Sequence, residues 1–318
     1  MKYFDLHCDT LFAIAEEGGT LFRRAGQLDL SRAKKYETYA QVFAMFCGSI
    51  PLNDPQRAHD LFKKLLYTAE KQFEDNQDRL CLCRTAEEFD SACKEGKIAA
   101  FLSVEGAELL QTEEDIQTAV DAGVRIVTLS WNHDSCYACG AASNRRKGIT
   151  ELGKRLVKKL DHSGVFLDVS HLSERGFWDL TELTDRPILA THSNSRTIRH
   201  HIRNLNDDQF TEICRRGGLV GLNCYVPFVT SKKTASVRDL FPHIDYLMEL
   251  GGEHCLSIGA DLDGCDRLPD EIHDIADIGC LAEEMQRHGY KDEWIQNLFF
   301  ENAARFVRNY FTLENQTN

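Results

Sequence analysis

The stretch FDLHCDTL, residues 4–11, sets His7 and Asp9 at alternate positions just after a short apolar run. On a strand, side chains two apart share a face, so this pair would project together from the strand's end. Alone, the stretch fits a surface strand with a few polar residues as well as it fits a metal-ligand pair at the mouth of a barrel. The rest of the chain decides.

Short β-rich runs recur at Tyr3–His7, Tyr39–Phe46, Ile98–Val104, Val124–Trp131, Val165–Ser170, Pro187–Thr191, Leu219–Cys224 and Leu256–Ala260. Helix-like patterns lie between them, over Ala58–Gln72, Thr150–His162, Asp207–Arg215 and Val237–Leu250. A last one, Asp292–Tyr310, gathers Trp294, Leu298, Phe299, Phe306 and Tyr310 near one face. Strand alternating with helix implies a parallel sheet. Eight such units predict an α/β fold, a closed (β/α)8 TIM-type barrel. No G-x-G-x-x-G follows the first strand, which argues against a dinucleotide-binding sheet. No Ser/Gly-rich linker or repeat interrupts the chain, so residues 1–318 are read as a single domain.

Composition sets the outer limits. A barrel of this type takes about 250 residues plus insertions, and 318 residues with 42% hydrophobic content suffice for one. A formal charge of −13 argues against nucleic acid, whose backbone calls for clustered Lys and Arg. The start, MKYFDLHCDT, does not follow the pattern of a basic segment and an apolar run that marks secretion, and no run of about 18 apolar residues suggests a membrane span. A cytoplasmic protein without membrane partners is expected. Its twelve cysteines, the closest pairs being Cys81/Cys83 and Cys136/Cys139, are accordingly read as reduced structural thiols. The oligomeric state is open; a homodimer fits such a chain.

In a parallel barrel, catalytic groups sit at the carboxyl ends of the strands. The first predicted strand ends in His7 and Asp9, the third in Glu105, the fifth in His171, the sixth in His192 and the last in Asp261 and Asp263. Taken singly, each has a duller role as a helix cap or turn residue. Gathered at one rim, three imidazoles and several carboxylates suit zinc or a similar divalent ion. Their number predicts two ions, His7 and Asp9 holding one, His171 and His192 the other, and Glu105 bridging through its two oxygens. Such a pair lowers the pKa of a shared water, polarises a carbonyl and stabilises a tetrahedral oxyanion. Asp261 is then placed to shuttle a proton or to hold a substrate ammonium. Amide hydrolysis is the natural reaction.

The ordered set of H-x-D, V-E-G, D-V-S-H, T-H-S and GADLDG resembles the membrane (renal) dipeptidases and their bacterial relatives among the amidohydrolase-like metal-dependent barrels. The resemblance runs from the first strand to ENAARFVRNYF, almost the whole chain. It implies a binuclear zinc site with His7, Asp9 and Glu105 on one ion and Glu105, His171 and His192 on the other. It also implies an arginine that receives a dipeptide's terminal carboxylate; in THSNSRTIRHHIRNLND the matching spacing falls on Arg203, with Arg196 and Arg199 nearby. A planar guanidinium suits a carboxylate because it binds bidentately. The family's habit of accepting a D-residue on the C-terminal side comes with the resemblance.

One departure stands out. Many relatives carry a substrate-contacting histidine directly after the fourth strand, where this chain has Trp131 in TLSWNHDSCYACG. Asn132 or His133 is the candidate replacement. The reading is a metallodipeptidase. Its alternatives are another amidohydrolase acting on a cyclic amide, a lactam or a deamination substrate, and a metal-binding barrel without turnover.

Overall fold

The structure, a computed structural model, describes residues 1–23, 25–48, 54–143 and 147–312. Among these residues nine strands form, β1 (Lys2–Cys8), β2 (Thr38–Phe46), β3 (Leu80–Leu82), β4 (Ile98–Glu105), β5 (Val124–Thr128), β6 (Phe166–Asp168), β7 (Leu189–Ala190), β8 (Leu219–Leu222) and β9 (Leu256–Ile258). All pairings between them are parallel; β1 pairs with both β2 and β9, and β2 pairs in turn with β4, which closes the sheet. Eight strands form the expected (β/α)8 barrel. The ninth, β3, stands outside the closed ring and was not anticipated. It pairs with the first part of β4, Leu80↔Ile98 to Leu82↔Ala100, while β5 takes the later part, Leu102↔Val124 to Glu105↔Thr128.

Several strands are shorter at the rim than their apolar runs suggest. Val165–Ser170 contracts to Phe166–Asp168, and Pro187–Thr191 to Leu189–Ala190. The reason is local: the Asp168 carboxylate accepts the backbone N–H groups of Ser170 and Thr191, drawing them from the ladder. His171 then turns into the left-handed region at φ 71°.

The outer helices bury one face each, and side chains cap the starts of several, among them Pro55–Glu74, Ala86–Lys94, Glu113–Asp121, Glu151–His162 and Glu174–Leu183. Asn206 and Gln209 form a reciprocal capping box at Asp207–Arg215. The expected helix Asp292–Tyr310 is three pieces, Asp292–Gln296, a π-turn Asn297–Glu301 and Asn302–Tyr310. The two aromatics inside the wider turn reach adjacent residues of β1, Phe299 onto Tyr3 and Phe300 onto Phe4, with ring centroids 5.9 and 6.3 Å apart. Phe306 and Phe311 pack on Phe166 of β6 at 5.0 and 5.3 Å. The end of the chain thus fastens two strands that carry or precede site residues.

The reading of all cysteines as thiols holds for ten of them; Cys214 and Cys255 form a disulfide. Cys214 lies in the last turn of Asp207–Arg215 and Cys255 just before β9. Hydrogen bonds from Gly218 N–H to the Ile213 carbonyl and from Val220 N–H to the Cys255 carbonyl draw these two ends together. A separation of 41 residues hides such a pair from any reading of spacing. Among the described residues no helix is long and apolar enough to cross a membrane.

Candidate metal centre

The carboxyl ends of five strands converge. β1 brings His7 and, one residue beyond its end, Asp9; β4 brings Glu105; the turns after β6, β7 and β9 bring His171, His192 and Asp261. All six are buried. Glu105 is the last residue of its strand and is laddered to Phe46 on one side and Thr128 on the other, so its side chain starts from a fixed point. Gly106 follows at φ 91°, where a Cβ would lie 2.3 Å from Cys47 Sγ, so no other residue makes this turn unstrained.

Glu105 divides the cluster. Its Oε2 lies 3.1 Å from His7 Nε2, and its Oε1 lies 2.9 Å from His171 Nε2 and 3.6 Å from His192 Nε2. The two latter nitrogens are 2.7 Å apart. On the other side, His7 Nε2 is 3.8 Å from Asp9 Oδ1 and 3.9 Å from Asp261 Oδ1. Two groups, His7/Glu105/His192 and His7/Asp9/Asp261, each present ligand atoms within 4.8 Å of one another.

The electrostatics differ across this divide. Burial disfavours a charged His7, but Glu105, Asp9 and Asp261 outweigh it and hold its pKa up to about 10. Burial and then Glu105 push Asp9 well above the usual carboxylate range, and burial also raises Asp261. On the far side, burial and Arg203 push His171 down to about 3, and burial with His7 pushes His192 well down. On the acidic side three carboxylates share the single His7 ring; on the other side the imidazoles are held neutral, able to offer lone pairs.

These features fit divalent cations. His7 Nε2, Asp9 Oδ1 and Glu105 Oε2 are buried without a well-directed hydrogen bond, although His7 and Glu105 approach to 3.1 Å, and such poorly satisfied polar atoms are costly unless something binds them. A Cβ at Gly264 would sit 2.3 Å from both Asp9 Oδ2 and Asp261 Oδ1, so only glycine leaves that cradle open. Imidazole and carboxylate together suit zinc.

The remaining predicted residues are sorted by their contacts. Arg203 is buried with its Nε unpartnered; one Nη donates to the His192 carbonyl at 3.3 Å, and burial lowers its pKa to about 10. Asn223, beyond β8, donates from Nδ2 to Asp261 Oδ2 at 3.0 Å, a contact that sequence reading missed. Asp263 faces elsewhere, accepting from Thr10 Oγ1 at 2.6 Å and Gln27 N–H at 2.7 Å. Asn132 Oδ1 lies 2.9 Å from His171 Nδ1. His133 is exposed, its ring 5.7 Å from that of Trp131, which in turn lies 5.8 Å from His171. Glu108, also missed, accepts the Trp131 N–H at 3.3 Å, and burial raises its pKa to about 7.

Buried imidazoles and carboxylates at the rim of a closed parallel barrel define a metal-dependent hydrolase. The family described as membrane dipeptidase, peptidase family M19, matches residues 1–318. A Klebsiella pneumoniae protein described as uncharacterised, in the region 5′ of pqqA, is 32% identical over 243 residues, covering 73% of this chain and 89% of its own. A crystal structure of a family M19 dipeptidase superposes with a TM-score of 0.89 at 26% identity, over 98% of this chain and 99% of the other. A metallopeptidase from Rhodobacter sphaeroides, liganded with a phosphinate mimic of L-Ala-D-Ala, shares the fold at 24% identity and a TM-score of 0.87, over 98% and 99% of the two chains. The chain belongs to the membrane dipeptidase family and is a metallodipeptidase.

Proposed function

We propose that this protein hydrolyses dipeptides at a centre of two zinc ions, one held by His7, Asp9 and Glu105 and the other by Glu105, His171 and His192. The observation that carries this reading is the division of Glu105, one oxygen turned to His7 and the other to the two remaining histidines. Bound there, divalent ions supply Lewis acidity, lowering the pKa of a water and polarising the scissile carbonyl.

The chain's own residues do the rest. Arg203, a buried guanidinium with an unpartnered Nε, receives the substrate's terminal carboxylate. Asn223 holds Asp261 Oδ2, leaving Oδ1 on the His7 side to take a proton from the attacking water and return it to the leaving nitrogen; the same oxygen can instead pair with the substrate ammonium. Glu105 is catalytic in the sense that it keeps both ligand sets in register. Asn132, which holds His171 Nδ1, or His133, exposed beside Trp131, supplies the substrate-facing donor in place of the relatives' histidine. Acceptance of a D-residue on the C-terminal side is part of the proposal, supported by the solved relative's bound L-Ala-D-Ala mimic.

Ten of the twelve cysteines are thiols against one disulfide, and that balance favours a cytoplasmic setting. A homodimer is the proposed assembly, to be read by light scattering. The test of function is a panel of L-X-L-X and L-X-D-X dipeptides and their C-terminal amides, assayed with protein of measured metal content. Free dipeptides should be cleaved and the amides poorly. Equal cleavage of both would remove Arg203 from its role.

A further inference from the structure

Asp168, Ser170 and Thr191, residues of the D-V-S-H and T-H-S motifs other than the histidines, have no part in the assignment above, yet they form one network. Asp168 is buried and accepts at Oδ1 from the Ser170 N–H (3.0 Å) and the Thr191 N–H (2.9 Å). At Oδ2 it accepts from the hydroxyls of Thr128 (2.9 Å) and Thr191 (2.7 Å). A carboxylate only accepts, so the Thr191 hydroxyl commits its single proton to Asp168. Thr191 Oγ1 also lies 2.9 Å from His192 Nδ1, and with its proton committed it can only accept there. Ser170 Oγ, 3.4 Å from Thr191 Oγ1, takes the His192 N–H and has its own proton to give. The chain of donors runs one way, from His192 Nδ1–H through Thr191 to Asp168.

We infer that Asp168 and Thr191 are positioning residues that fix the proton of His192 on Nδ1 and so turn an Nε2 lone pair to the metal centre. The inference rests on the reading of His192 as a ligand. His171 Nδ1 lies against the Asn132 side-chain oxygen, and without metal its Nε2, 2.7 Å from His192 Nε2 and 2.9 Å from Glu105 Oε1, carries the proton that the bare His192 Nε2 faces.

The network makes an asymmetric prediction. Asp168→Asn can keep an oxygen for the two backbone N–H groups but places an NH2 against both threonine hydroxyls. Thr191 must then accept from residue 168, its proton turns to His192 Nδ1, and the ring proton moves to Nε2, where it blocks a metal. Thr191→Val removes the relay without reversing it, and Thr191→Ser preserves it.

The test uses the full chain freed of metal, with ring 15N shifts of His192 identified by their loss in His192→Gln, followed by zinc titration against a chelator. The wild type and Thr191→Ser should show protonated Nδ1 and bare Nε2. Asp168→Asn should show the opposite tautomer. Zinc affinity at one of the two sites should fall about 10–100-fold in Asp168→Asn and in Thr191→Val, the usual effect of losing a partner behind a metal ligand, while Thr191→Ser restores it. An unchanged tautomer in Asp168→Asn, or wild-type zinc affinity in Thr191→Val, overturns the inference. If Asp168→Asn does not fold, the Thr191→Val and Thr191→Ser pair decides. A wild type with the expected tautomer but no zinc binding would support the relay while overturning the metal reading.

Discussion

The two sides of Glu105 are built on opposite principles. Toward the β1–β9 seam lie His7, Asp9 and Asp261, and the unpartnered atoms of His7, Asp9 and Glu105 all fall here. Toward β6 and β7, His171 and His192 each have the second ring nitrogen engaged, by Asn132 and Thr191. One side is left unsatisfied until a cation arrives. The other is set in advance by neutral hydrogen bonds. On the proposed reading, the centre is organised unevenly, with charge need on one flank and tautomer control on the other, joined by one carboxylate.

Glu105→Gln should have the largest effect because it weakens both flanks at once. An amide cannot offer charge to two cations, so loss of metal and of activity should exceed the roughly 10–100-fold typical of a partner behind a ligand. Metal analysis and dipeptide turnover on the same preparation check this; full occupancy with normal turnover would break the comparison.

Arg203→Met comes next. Removing one partner of a buried charge pair costs about 2–5 kcal/mol, so dipeptide kcat/KM should drop by roughly 30-fold or more with metal content intact. Kinetics on free and amidated dipeptides give the readout, and the variant should lose the preference between them.

Asp261 and Asp263 sharpen the account further, since both adopt φ 64° at the same rim. Asp261→Asn should retain both ions yet lose about 100-fold in kcat, the scale of a proton-transfer group. Asp263→Asn should stay active and instead lose stability, about 1–3 kcal/mol, because its bonds go to Thr10 and Gln27. Denaturant melts and kcat on the two variants should therefore move in opposite patterns.

A further contrast separates the flanks by pH in metal-free protein. His7, held up to about 10 when folded, binds a proton that the unfolded chain releases near 6.5, so its stabilisation is lost as pH rises from about 6.5 toward 10. His171, pushed down to about 3, has the reverse sign and costs stability as pH falls below about 6.5. Thermal melts across this range should peak near neutrality without metal and flatten on the alkaline limb when zinc is added. A metal-free protein equally stable at pH 7 and pH 9.5 would contradict the assignment of His7.

Much of this was legible in the sequence because ligand chemistry follows apolar runs of fixed period. His7, Asp9, Glu105, His171 and His192 each stand at or just past the end of such a run, so the barrel and its loaded rim could be read together. β3 escaped because three residues, Leu80–Leu82, are too few to show alternation. Asn223 escaped although it too stands at a strand end, in GLNCY, since an amide does not announce a metal site. The choice of Asp261 over Asp263 could not rest on spacing, which lets both face the rim; only their partners separate them. The Cys214–Cys255 pair depends on how two distant turns meet, which no local pattern encodes.

The central claim is that one carboxylate joins two ions. Its most direct test is an anomalous-scattering map from crystals grown with zinc. The account predicts two peaks flanking the Glu105 carboxylate, about 3.5–4 Å apart, one against His7 and Asp9 and the other against His171 and His192. A single peak, or two peaks that do not share Glu105, would contradict it.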